Sequence, residues 1–211
     1  MKVLIVAATN EEVAGLKSIL EIQNKGSHHV EILITGIGSL STCYVLLSYL
    51  KNKSFDIIIQ AGICGSVSQN VELGSLVNII SDQVIDLGAS SNDGFISFAE
   101  SLKENGQILQ WNNENNLYSH FFKNLPCGEG ITANICHGDE YWVDYINRNY
   151  PNSFESMEGA AFFMIASNLS IPAFQVRAVS NYVEIRDRDS WQKDLAINNL
   201  NRYLIKLLNE I

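Results

Sequence analysis

Apolar residues in this chain come in short continuous runs, separated by polar turns and by stretches with helical spacing. Residues 3–8 (Val-Leu-Ile-Val-Ala-Ala) are continuously apolar and too short for a helix, which predicts a strand buried on both faces. A helix is predicted over 10–22, with Thr9 or Asn10 as its cap. The alternation continues with a strand over 30–35, a turn at Gly36-Ile-Gly38-Ser39 and a helix reaching Leu50. A third buried strand, 56–61, is expected to end in Gly62-Ile-Cys-Gly65-Ser66, and residues 76–85 form another. Residues 88–116 are polar and poor in periodicity, a peripheral excursion. Further on, a strand over 131–136 and a short helix over 139–147 are predicted. Ser156 is placed to cap a helix over 157–168, and Pro172 opens a strand ending at Ser180-Asn181. Leu195, Leu200, Leu204, Leu207 and Leu208 mark a helix over 190–209. Strands alternating with helices imply an α/β fold with a largely parallel sheet.

The 211 residues suit one domain, 1–211, large enough to build its core without disulfides or metals. At 46% hydrophobic the chain is not disordered, and a net charge of −9 disfavours a nucleic-acid partner. No apolar run approaches the ~20 residues of a membrane span, and the N-terminus lacks the form of a signal peptide. Cys43, Cys64, Cys127 and Cys136 form no CxxC pair, so reduced thiols and a cytoplasmic location are expected. Histidines and cysteines lack metal-ligand spacing: His28 and His29 are adjacent, while His120 and His137 have no partner at ligand spacing. Neither a metal nor an organic cofactor is expected.

Several polar positions fall just past predicted strand ends, the edge along which open parallel sheets bind ligands. Gly36-Ile-Gly38-Ser-Leu-Ser41 falls short of a dinucleotide fingerprint because its third glycine is Ser41. Gly62-Ile-Cys-Gly65-Ser66 lacks the lysine of a phosphate-binding loop, and no GxSxG nucleophile elbow occurs. Glu158 is the most informative residue: an acid at the opening of an apolar helix needs partners, or a ligand, because an unpaired buried charge costs several kcal/mol. Arg177, late in an apolar strand, poses the same question with the opposite charge, and a structural salt bridge answers it as well as a ligand does. Of Glu11 and Glu12, one is expected to be an ordinary first-turn acid.

Taken together, Ala7-Ala8-Thr-Asn-Glu11-Glu12-Val13, Thr35-Gly36-Ile-Gly38, Gln60-Ala-Gly62-Ile-Cys-Gly65, His137-Gly138-Asp139, Ser156-Met157-Glu158-Gly-Ala160 and Arg177-Ala-Val-Ser180-Asn181 resemble the purine nucleoside phosphorylase and nucleosidase superfamily. Within it, the segment from Ser180 through Arg186, Arg188 and Trp191 is most similar to the futalosine hydrolases. The resemblance implies a three-layer α/β/α fold around a central twisted, mostly parallel but mixed sheet. It implies N-glycosidic cleavage that releases hypoxanthine, in a menaquinone pathway, by a homodimer or larger homo-oligomer. Glu12 then matches the water-activating acid, Arg177 its orienting cation, and Glu158 the carboxylate on the ribose. Met157, Ile63 and Cys64 would line the sugar, and Tyr141 and Trp142 match the stretch that packs on the base. Asn181, held by Ser180, takes the place of an Asp that serves adenine in the methylthioadenosine/S-adenosylhomocysteine nucleosidases. An amide NH₂ donates to the keto oxygen of a 6-oxopurine, which a carboxylate cannot do unless protonated.

Arg186 or Arg188 is a candidate to hold a carboxylated 5′ substituent, a self-paired surface cluster being the alternative. All five arginines lie at or beyond Arg148 and no cation adjoins the Gly36 or Gly62 turns, so water rather than phosphate is the expected nucleophile. Two rivals remain open: an adenine-releasing nucleosidase, and a non-catalytic nucleoside-binding module.

Overall fold

The computed structural model describes residues 1–22, 29–92, 94–98, 110–112, 118–187 and 189–211. Its centre is a mixed eight-stranded sheet. β1 (Lys2–Ala7) pairs in parallel with β2 (His29–Ile34) on one side and β3 (Ile57–Ser66) on the other. β3 also pairs in parallel with β10 (Ala173–Tyr182), and β10 runs antiparallel to β4 (Leu76–Val84). β4 pairs with β8 (Cys127–Thr132), β8 with β9 (Phe154–Ser156), and β9 returns to β3. The last pairing closes a ring of five strands, β3, β10, β4, β8 and β9, so the sheet curls at one end and loses its open edge there.

Period-two alternation along the strands feeds two apolar layers. Leu4, Val6 and Ile58 face α2 (Ser39–Leu50) and α4 (Gly159–Asn168), packing with Leu46, Phe162 and Phe163. Val3, Ile5, Ile57 and Ile59 face α1 (Ala14–Ile22) and α5 (Lys193–Glu210), packing with Leu16, Leu200 and Leu204. The expected α/β/α sandwich is therefore present. Among the described residues no helix is long and apolar enough to cross a membrane, and all four cysteines are free thiols.

Several predicted boundaries move, four of them for a reason visible in the packing. The third strand does not end at Ala61 but continues to Ser66, because β10 and β9 supply partners for its glycine-containing half. The strand expected over 131–136 lies at Cys127–Thr132; beyond it Asn134 donates its backbone N–H to Asp86 Oδ2 at 2.6 Å, outside the sheet. Glycine hides that strand from a hydrophobicity pattern, and packing requires the glycine: a Cβ at Gly128 would lie 2.4 Å from the Phe154 ring, and one at Gly130 would lie 2.3 Å from Asp82. Ser156 belongs to β9 and the following helix starts two residues later than expected, at Gly159, whose N–H the Ser156 hydroxyl still accepts at 3.3 Å. The helix expected over 10–22 opens with a 3₁₀ turn at Glu11–Val13 before α1. Of the excursion 88–116, a hairpin of β5 (Gly88–Ser91) and β6 (Gly94–Ser97) is described, with β7 (Gln110–Asn112) on the edge of β4. Residues 93, 99–109 and 113–116 of it, and His28, lie outside the described residues.

Candidate active site

The curled end of the sheet frames a cavity of about 260 Å³. Thr9, Glu11 and Glu12 reach it from beyond β1, Ile63–Gly65 from β3, Glu155 and Ser156 from β9, Met157 and Glu158 from the turn into α4, and Ser180 and Asn181 from β10. Trp191, Lys193 and Ile197, at the start of α5, contribute another wall.

Glu12 is set in place by local chemistry. Its Oε2 accepts the backbone N–H of Thr9 at 2.9 Å and the Thr9 hydroxyl at 3.1 Å, while the Glu12 N–H reaches back to Thr9 Oγ1 at 3.4 Å. That reciprocal pair is a capping box, so Thr9, not Asn10, caps the helix. The other oxygen, Oε1, accepts the N–H of Ile63 at 3.1 Å. Burial raises the Glu12 carboxyl above its ordinary range, opposed by the positive charge of Arg177 and by the two backbone donors.

Glu158 approaches from the opposite side. Its backbone lies at the mouth of α4, and its side chain accepts the N–H of Gly38 at 3.0 Å. The Gly36-Ile-Gly38 turn thus presents its backbone to a protein carboxylate, and both glycines take the positive φ (81° and 92°) that such a turn demands. Ser39 reinforces the junction by donating to the Met157 carbonyl at 3.2 Å.

Arg177 lies between the two acids and behind the cavity wall, 2% exposed. Nη1 is 3.6 Å from Glu158 Oε2, and Nε donates to Gln175 Oε1 at 2.8 Å. Gln175 in turn donates to Asp82, which also accepts the Thr132 hydroxyl. Burial pushes the Asp82 carboxyl up to about 6, against these donors and Arg177. Arg177 Nη2 has no hydrogen-bond partner among the described residues. Arg177 also packs directly against Gly62, where a Cβ would fall 2.5 Å from Nη1. The expectation that no cation adjoins that glycine is corrected: the fold brings one from 115 positions along the chain, already committed to neighbouring acids.

On the third wall, the Ser180 hydroxyl donates to Asn181 Oδ1 at 2.7 Å, and Asn181 Nδ2 donates to the Tyr182 carbonyl at 3.0 Å. Both partners orient the amide the same way, leaving the second Nδ2 hydrogen as a donor. Burial pushes the adjacent Cys64 thiol up to about 12, too high for a nucleophile.

Glu12, Glu158, Met157, Ile63, Cys64, Ser180, Asn181 and Arg186 therefore meet at one cavity, with Arg177 directly behind it. Tyr141 and Trp142 do not line it. α3 (Glu140–Asn149), capped by Asp139, turns Trp142 onto the His137 ring at 4.0 Å and leaves Tyr141 half-exposed beside Phe95. Arg188 lies outside the described residues. Sequence reasoning missed Glu155 and Lys193, and gave Thr9 as a helix cap without placing it at the site. Glu155, set between Phe154 and Ser156, gives no such signal in the sequence; it is buried by the pairing of β9 with β3 and β8. Among the described residues no group of His, Cys, Asp or Glu is placed to hold a metal ion.

Two buried acids on either side of one cation thus stand opposite a fixed amide. Residues 2–209 match the phosphorylase superfamily, and the chain belongs to that family. Its curated relatives include the futalosine hydrolase of Acidothermus cellulolyticus, 27% identical over 95% of this chain and 87% of that protein. That of Thermus thermophilus is 25% identical over 84% and 80%. Among solved structures, the futalosine hydrolase of Helicobacter pylori superposes with a TM-score of 0.82 over 100% of this chain and 98% of that one, at 15% identity. The 5′-methylthioadenosine/S-adenosylhomocysteine nucleosidase of the same organism, in complex with butyl-thio-DADMe-Immucillin-A, gives 0.81 over 100% and 99%, at 16% identity. At those identities the two structures establish the shared fold.

Proposed function

We propose that this chain is a nucleosidase of the futalosine hydrolase type, one domain that cleaves the N-glycosidic bond of futalosine and releases hypoxanthine, serving menaquinone biosynthesis in the cytoplasm without a metal or organic cofactor. The observation that carries this reading is the convergence of Glu12 and Glu158 on one cavity whose base-facing donor is an amide. In the reaction the C1′–N9 bond breaks with its electron pair going to the purine, and water adds to C1′. Glu158 holds the ribose hydroxyls and favours the positive charge developing on the sugar. Glu12, whose carboxyl burial raises above its ordinary range, takes the proton from water. Arg177 orients both acids from behind the cavity wall. Asn181 donates to the keto oxygen of the leaving base, easing its negative charge, and the base takes its proton from solvent. Arg186 or Lys193, both on the cavity rim, holds the carboxylate of the 5′ substituent.

The assembly is proposed to be a homodimer or a larger homo-oligomer. Leu40, Tyr44 and Leu47 form an exposed apolar stripe along α2 that Ile37 extends into the preceding turn, and Ile37 also lines the cavity, so a second copy on this stripe would complete the rim.

Incubation with futalosine, inosine or methylthioadenosine, with and without phosphate, followed by chromatography of the free base, tests the proposal. Hypoxanthine from futalosine at a rate independent of phosphate is expected, and Glu12→Gln should abolish turnover while ligand still binds. Adenine as the preferred product, or binding without cleavage, would overturn it.

A further inference from the structure

Glu155 has no part in the chemistry above, yet it is a buried acid on the cavity wall. Its Oε1 has no hydrogen-bond partner among the described residues. Burial pushes its carboxyl up to about 7, with repulsion from Asp86 adding to the effect. A buried carboxylate oxygen without a partner destabilises the empty protein, which is the mark of a group kept for a ligand.

Sheet register shows which ligand group it would meet. Asn181 pairs with Gly65 across β10 and β3, and Gly65 pairs with Glu155 across β3 and β9. The three residues form one lateral row, with the amide and the carboxyl two strand spacings, roughly 10 Å, apart at their Cα atoms. Paired residues in a row project to the same face, and the central one has no side chain. Gly65 therefore leaves a slot flanked by a donor and an acceptor; a Cβ there would lie 3.0 Å from Asn181 Nδ2. The edge of a 6-oxopurine carries the complementary pair, an acceptor at O6 and a donor at N1–H. Adenine presents the reverse, a donor at the 6-amino group and an acceptor at N1.

We propose that Glu155 is a specificity-determining residue that accepts the N1–H of a 6-oxopurine while Asn181 donates to O6. This rests on the nucleosidase reading above and adds a second point of base discrimination to it. Arg186, whose Nη1 donates to the Cys136 carbonyl, shares the lining around Glu155 with His137, Glu184 and Asp187.

The test compares the wild type, Glu155→Gln and Glu155→Val on inosine, 1-methylinosine and methylthioadenosine. It adds calorimetric binding of hypoxanthine, 1-methylhypoxanthine and adenine, and melting temperatures at pH 8. The wild type should favour inosine over 1-methylinosine by roughly 10- to 100-fold, the range of a hydrogen bond to a charged group. Glu155→Val should bring the two within about threefold, mainly by losing inosine, and Glu155→Gln should narrow the preference for inosine over methylthioadenosine about tenfold. Both variants should melt at or above the wild type. Unchanged ratios, or equal losses on every substrate with a lowered melting point, would overturn the inference. If the wild type binds hypoxanthine but hydrolyses nothing, the nucleosidase reading fails, and the binding ratios still decide the role of Glu155.

Discussion

Gly62→Ala tests how closely the fold ties its two reacting groups together. A Cβ at this position would stand 2.5 Å from Arg177 Nη1 and 2.8 Å from Glu12 Oε1. Ordinary contact begins at 3.4 Å, so the neighbours must retreat by about 0.9 Å and about 0.6 Å. Neither has slack. Arg177 is fully buried and tied to Gln175 and Glu158, while Glu12 accepts hydrogen bonds from Thr9 and from Ile63, the residue next to the substitution. Gly62 lies within β3, whose extended backbone alanine adopts freely, so the perturbation is steric alone. Overpacking of this kind costs ~1–3 kcal/mol of stability, which the protein should survive. Displacing Arg177 by about 0.9 Å and Glu12 by about 0.6 Å should cost up to about 10²-fold in kcat. Release of hypoxanthine from futalosine, followed by xanthine oxidase coupling at saturating substrate, measures kcat, and a melting curve measures stability. A kcat within threefold of wild type, in a protein that melts normally, would refute the claim that Glu12 and Arg177 act from these positions.

Asn181→Asp should move preference from inosine towards methylthioadenosine by at least about tenfold in kcat/KM, as expected for reversing one buried hydrogen bond; indifference would undercut the base-edge reading. The Tyr182 carbonyl that now accepts from Nδ2 would favour the new acid in its protonated form. Stability should fall as pH rises between about 4 and about 6, because Asp82, raised from 3.8 to about 6, keeps its proton in the folded state longer than in the unfolded chain. That shift corresponds to about 3 kcal/mol, and Asp82→Asn should flatten this part of the profile of melting temperature against pH. Arg186→Ala should raise KM for futalosine and leave inosine turnover unaffected; equal effects on both substrates would remove Arg186 from the 5′ site.

Much of the architecture could be read from local pattern. Continuous apolar runs at β1 and β3 identified buried strands because a strand covered on both faces has no polar positions to spare. Charged residues in apolar surroundings, Glu158 and Arg177, identified the site because burial without a partner is costly, and both proved to be partnered with each other. Tertiary structure decided what local pattern does not encode. The closing of β3, β10, β4, β8 and β9 into a ring depends on β9, three residues long, and on glycine-rich β8, neither of which has a period to detect. The packing of α3 turned Tyr141 and Trp142 away from the cavity. Long-range register alone placed Glu155 beside Asn181, since a lateral row across three strands joins residues that no interval along the chain relates. The order of residues determined which groups had to find partners; the pairing of distant strands determined which partners they found.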